Sequence, residues 1–400
     1  SLRSLYMASD SILSASGRAQ AETVFLAARK CLRFGIPFAV CHLPGNQPPD
    51  FFCGIESSAD NTTIPSSSEA GKTFEIGRWL APWSERTSIG QHLSASQAAL
   101  LEEADAESYP GLFSTPEALQ ADNVITREEY HDAVAAITER CRLREGKTVY
   151  SRVISGENPS LDIPAAARML FDAFPSSFGF LYYTPQTGCW LGASPETLLD
   201  FDAATRRVST MAFAGTRQAS AGDTPWDAKN LRENRFVADY IRDRFRMLGM
   251  EPKISRPYTV SYGVIQHLRR DIQATLPKGL EFHRLLDLIN PTPALCGTPL
   301  EAALEDIRDF EHHTRGCYGG FVGIRHYRPS PANDDGGSIS PGGFRSFVNL
   351  RSARISSLPG GYFEILAGGG LLQGSDPASE WAETESKASR LLSILSGRSF

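Results

Sequence analysis

The chain has 400 residues, 41% apolar and 22% charged, enough to bury a large core in one or two domains without disulfide staples. Its net charge is −6 and it has no run of five or more lysines and arginines, so charge gives no basis for nucleic acid or an anionic membrane as partner. No 18-residue apolar stretch or charged-then-apolar leader is found, and the cysteines at 31, 41, 53, 141, 189, 296 and 317 lack CxxC or zinc spacing; reduced thiols in a cytoplasmic protein are expected.

Up to about residue 120 the signals are weak. "AETVFLAARKCLRFG" reads as an amphipathic helix, "SSADNTTIPSSSEAG" as a long loop, and "ALLEEADAESYPG" as an acidic segment. The "GKT" triplets at Gly71 and Gly146 are decoys for a phosphate loop, because the upstream glycine is replaced by Ser66 and Cys141. From Thr126 the pattern sharpens: "TREEYHDAVAAITERCRLREG" is a capped helix with a glycine stop, and "KTVYSRVI" alternates like a strand. "FGFLYYTPQTGCWLGAS", "RRVSTMAFAGT" and "FRSFVNLRSARISSLPGGYFEILAGG" predict strands joined by short turns, with helices at "DAKNLRENRFVADYIRDRFRML" and "GLEFHRLLDLI" between them. Sequence neighbours of this kind pair antiparallel, which predicts an α+β plan.

The last predicted element follows "LAGGGLLQGSDPASEWAETESK". Ser375 and Asp376 are N-cap candidates and Pro377 suits a first helical position. At ~100° per residue, Glu380, Glu383 and Lys387 share one face and Glu385 points away. That face is either a solvated helix start with a Glu383–Lys387 pair or an inward-facing cluster. Glu233 poses the same choice. It lies inside the apolar stripe of Phe236, Val237, Tyr240, Ile241 and Leu248, so it is paired, binds a cation, or remains at a wet helix end. Lys147 opens a strand and Glu196 ends one. Each is a solvated terminus unless a dry pocket joins them, where an amine and a carboxyl group become base and acid. Arg351, read as lying on a core-facing strand, is a carboxylate clamp or pairs with an internal acid, and His267 is equally open.

Seven blocks in order, "GASPETLL", "AFAGTR", "KNLRENRFV", "INPTPALCGTP", "EHHTRGCYGGFVGI", "VNLRSARI" and "LAGGGLLQGSDPASEWAETESK", resemble the chorismate-utilising enzymes. That group comprises isochorismate, salicylate, anthranilate and aminodeoxychorismate synthases. The resemblance spans roughly residues 126 to 395. It implies two large antiparallel β-sheets packed together with helices on the outside and the pocket between the sheets. Residues 126–395 would be the chorismate-binding catalytic region and 1–125 the N-terminal part of the same fold. It further implies Mg²⁺ held by Glu233 and Glu383, with Glu380 supporting through water. Hard Mg²⁺ favours such oxygen ligands. The backbone of Gly215, Gly368 and Gly369 would lie against chorismate carboxylates, Arg351 would clamp the enolpyruvyl carboxylate, and Lys387 would lie near. His267, Ala294 and Tyr318 complete the implied substrate-binding set.

A few positions sort the members of the family. Its water-activating enzymes carry Lys where Lys147 stands, and its amine-using members, which draw ammonia from a glutaminase partner, do not. Ala214 occupies the place of the nucleophilic lysine of aminodeoxychorismate synthases, and "PTPALCGTP" is more similar to isochorismate than to salicylate synthases. Asn234, often His, and "KNLR", often Lys-Asp-Arg, depart from the pattern. The expectation is therefore a Mg²⁺-dependent isochorismate synthase acting on chorismate, with Lys147 as base and Glu196 as acid. It would be a monomer or weak homodimer with no glutaminase subunit. The alternatives are a salicylate synthase, an amine-using relative, or a non-catalytic glutaminase-docking subunit.

Overall fold

A computed structural model of the chain describes residues 17–45, 47–54, 56–57, 71–91, 95–103, 123–329, 339–356 and 361–398. Residues 58–70 of the predicted loop "SSADNTTIPSSSEAG" and the end of "ALLEEADAESYPG" fall outside these residues, and the loop's first and last residues belong to strands.

Two antiparallel sheets form the molecule. The first has eight strands in the order β14 (Gly297–Thr298), β6 (Lys147–Glu157), β18 (Tyr362–Leu371), β17 (Ser352–Ile355), β8 (Gly188–Ser194), β7 (Phe178–Thr184), β1 (Phe38–His42) and β2 (Asp50–Cys53). The second runs β11 (Lys253–Ile254), β13 (Ile265–Thr275), β10 (Arg207–Gln218), β9 (Thr197–Asp202), β16 (Ile339–Val348), β15 (Phe321–Pro329), β4 (Gly71–Gly77), β5 (Thr87–Ile89) and β3 (Glu56–Ser57), with β12 (Tyr258–Tyr262) also on β13. Strands from before residue 126 thus extend both sheets. Aromatic side chains fill the space between the layers: Phe178 stacks on Phe347 with ring centroids 4.3 Å apart, and Phe74 meets Tyr182 at 5.8 Å. Burial of such rings is the main apolar term holding the sheets face to face.

Among the described residues the α-helices are α1 (Gly17–Phe34), α2 (Ala95–Glu103), α3 (Arg127–Arg144), α4 (Ile163–Ala173), α5 (Ala228–Met247), α6 (Phe282–Ile289), α7 (Leu300–Phe310) and α8 (Pro377–Ser396). Local chemistry sets their starts. Thr126 and Glu129 close a capping box on α3, while Asp227 and Asp376 accept from Asn230 N and Ser379 N to cap α5 and α8. Val237, Ala238, Ile241 and Phe245 of α5 are buried and join the core between the sheets. Ala388, Leu391 and Leu395 of α8 pack with α1 and α4 on the outer face of the first sheet.

Two of the joints at which the chain passes from one sheet to the other lie side by side. Pro195–Glu196 links β8 to β9, residues 349–351 link β16 to β17, and Val348 N donates to Glu196 O at 2.9 Å. Arg351 therefore lies in a turn and not on the strand expected of it. Its φ of 52° is left-handed, and its carbonyl accepts from Ala193 N at 3.2 Å, a tertiary contact that local pattern cannot reveal.

Candidate active site

The joints open onto a cleft of about 650 Å³. Of the residues singled out in the sequence, Glu196, Gly215, Glu233, His267, Ala294, Tyr318, Arg351, Gly368, Gly369 and Lys387 line it. Lys147 and Glu233 lie against Gly370 on one face of β18, and Glu380 and Glu383 lie against Gly369 on the other. A side chain at Gly370 would collide with Glu233 Oε1 and Lys147 Cε, and a Cβ at Gly369 would come within 3.1 Å of Glu380 Oε2. The glycines therefore keep the strand thin enough for three carboxylates to approach it.

Burial removes the solvated readings. Lys147 is 0% exposed, Glu196 and Glu380 are 2% exposed, and Glu233 is 7% exposed. Each carboxylate of the cluster has a lysine nitrogen beside it: Lys147 Nζ is 3.1 Å from Glu233 Oε1, Lys229 Nζ 2.7 Å from Glu380 Oε1, and Lys387 Nζ 2.6 Å from Glu383 Oε1. Lys147 Nζ is not aligned for a hydrogen bond to Glu233, and Glu380 Oε2 is buried with no partner. Glu385 points outward, accepting from Trp381 Nε1 at 2.9 Å.

These surroundings separate the acids. Burial pushes the Glu196 carboxyl up to about 8, even against the opposing charges of Lys147, Lys387 and Arg351, so it is protonated at neutral pH. Burial and the neighbouring Glu383 raise Glu380 to about 7. Burial would raise Glu383 as well, but Lys387 and Lys229 hold it below the ordinary range. Across the cleft, Arg351 Nη2 donates to His267 Nε2 at 2.8 Å. A guanidinium only donates, so Nε2 is unprotonated. Burial and the charges of Arg351 and Lys387 hold His267 well below its ordinary value, leaving it neutral. Burial raises the Tyr318 hydroxyl to about 12.

A divalent cation fits the donor set. Glu380 Oε2 is an unspent buried oxygen, and Glu233 and Glu383 add two more carboxylates of the hard type that Mg²⁺ favours. Among the described residues, no three such groups are already drawn into a coordination shell. Lys229 was not flagged by the sequence reading. Its signal was available, four residues before Glu233 on the same helical face. Tyr262, whose ring lies 5.5 Å under Arg351, had no such signal, because the contact joins a strand to a turn far along the chain.

The family model described as "Chorismate binding enzyme" matches residues 70–396. The isochorismate synthase MenF of Bacillus subtilis is 26% identical over 82% of this chain and 67% of its own length. The MenF of Escherichia coli is 32% identical over 52% of this chain and 45% of its own length, so the matches span about half to two thirds of these relatives. The solved structure of the E. coli menaquinone-specific enzyme shares the fold, with a TM-score of 0.69, 21% identity, and coverage of 92% of this chain and 91% of that one.

Proposed function

This chain belongs to the chorismate-binding enzyme family, and from that premise we propose that it is an isochorismate synthase, adding water at C2 of chorismate with loss of the C4 hydroxyl. The observation carrying this reading is the pair of Lys147 and Glu196, an amine without an aligned acceptor and a carboxyl group protonated at neutral pH, close enough for their charges to interact.

In this mechanism Lys147 Nζ takes the proton of the attacking water, and Glu196 delivers its proton to the departing hydroxyl as the ring double bonds shift. Arg351, oriented by the His267 acceptor and stacked against Tyr262, binds the enolpyruvyl carboxylate as a rigid fork. Lys387 is anchored on Gly368 O at 2.8 Å and keeps positive charge beside the glycine backbone. Glu233 and Glu383 would hold Mg²⁺ with Glu380 in support; when bound, the ion neutralises these carboxylates and orients the ring carboxylate. Ala214 leaves no amine at the position where an amine-forming relative would need one.

Water as nucleophile requires no glutaminase subunit, and we assign the chain to work alone, as a monomer or weak homodimer. Among the described residues no helix is long and apolar enough to cross a membrane. All seven cysteines are buried thiols outside any disulfide, which supports a reducing, cytoplasmic setting. Residues 126–395 form the proposed catalytic region, with 1–125 completing the same unit. The metal assignment is tested by Glu233→Gln and Glu383→Gln. Calorimetry should show Mg²⁺ affinity falling on the order of tenfold or more in each while the fold survives. Unchanged affinity in both would sink the assignment.

A further inference from the structure

Strands β10 and β13 pair unevenly at the cleft wall. Phe213 stands opposite Arg269 and Thr216 opposite His267, so Ala214 and Gly215 together face Leu268. This is a β-bulge, with Gly215 in the left-handed region at φ 95°. The carbonyls around it turn towards α5, where the fully buried side-chain amide of Asn234 meets them. Its Nδ2 donates to Ala212 O at 3.1 Å, Ala214 O at 3.1 Å and Leu268 O at 3.0 Å. Its Oδ1 accepts from Arg270 Nε at 2.9 Å, and since a guanidinium only donates, this contact fixes which end of the amide faces the strands. One turn earlier, Asn230 Oδ1 accepts from Thr216 N at 3.1 Å, and Asn230 Nδ2 donates to the N-cap Asp227 at 2.8 Å. Glu233 lies between the two asparagines on the same helix.

We propose that Asn230 and Asn234 form a clasp that fixes the Gly215 backbone relative to Glu233, making Asn234 a positioning residue for substrate and cation binding. The proposal rests on the reading of the cleft as a chorismate site. Phe213, Ala214, Gly215, Thr216 and His267 form one wall of that cleft, and Glu233 reaches it from the helix. Without the clasp, the bulge and the helix start could shift independently. Lys147 and Glu196 sit on β6 and at the β8–β9 joint, outside the clasp, so ground-state binding should suffer more than turnover at saturation. An amide that only satisfied buried carbonyls would change stability without that division.

The test uses the full chain with Mg²⁺ and chorismate. Asn234→Ala, shown to be folded by cooperative melting, should raise both the KM for chorismate and the Kd for Mg²⁺ by about tenfold or more, with kcat falling less than about threefold. Backbone amide exchange should quicken at 212–216 and 268 but not in β6 or β18. KM and Kd within about twofold of wild type, or a loss confined to kcat, would overturn the clasp. If Asn234→Ala does not fold, Asn234→His decides, because its ring offers one N–H to three carbonyls. Intermediate constants support the clasp, and wild-type constants contradict it. Failure of the wild-type chain to bind chorismate would count against the functional reading instead, and the exchange pattern would still decide the clasp.

Discussion

Glu196 shows how one residue's setting divides function from stability. Its folded-state value is raised from the ordinary 4.5 to about 8, chiefly by burial. As proton donor it must be protonated, so kcat should fall as pH rises through about 8. In Glu196→Gln the residual rate, down on the order of 10²-fold or more, should lack that alkaline limb. A wild-type profile flat to pH 9.5 would remove the residue from the acid role. The linkage sign follows from the same shift. The folded protein keeps this proton where the unfolded chain has released it, so the fold loses stability as pH rises from about 4.5 through about 8. Glu196→Gln escapes that loss and should melt above wild type at pH 8.5 but close to it at pH 4.5. Scanning calorimetry at both values decides, and an equal difference at each would contradict the linkage. Sequence identified the residue but not its setting. Its burial depends on the joint with Val348, about 150 residues further along the chain.

At the scale of elements, the segments legible in the sequence were those with local chemistry. The capping box of α3, the Asp376–Pro377 start of α8 and the Glu380, Glu383, Lys387 face could be read because caps and helical spacing act within a few residues. The left-handed turn at Arg351 and the bulge at Ala214–Gly215 could not, because distant strands impose them. Strand β18 lies between these cases. Its glycine run was plain, but its purpose depends on helices α5 and α8 bringing carboxylates to its two faces. Gly370→Ala would place a methyl group against the Glu233 carboxylate and Lys147. It should cost roughly 1–3 kcal/mol of stability and reduce turnover on the order of 10²-fold or more. Denaturant melts and steady-state rates check this, and near-normal values of both would show that the strand is not tightly flanked.

For the whole molecule, the antiparallel α+β plan was legible from strand neighbours, and the stacking of two sheets came from the family resemblance. Neither reading located the site at the neighbouring β8–β9 and β16–β17 joints, because joints are defined by which sheet each strand enters. That arrangement lets one sheet supply Lys147 and the glycines and the other supply Gly215 and His267, with Glu196 and Arg351 between them. Identifying the product decides whether water addition proceeds without further elimination. The purified chain should be incubated with chorismate and Mg²⁺, with and without ammonium salts, and the mixture resolved by NMR. Isochorismate should form in both cases, and Lys147→Ala should make little or none. Salicylate with pyruvate, an aminated product in ammonium, or no conversion by the wild-type chain would each contradict the claim.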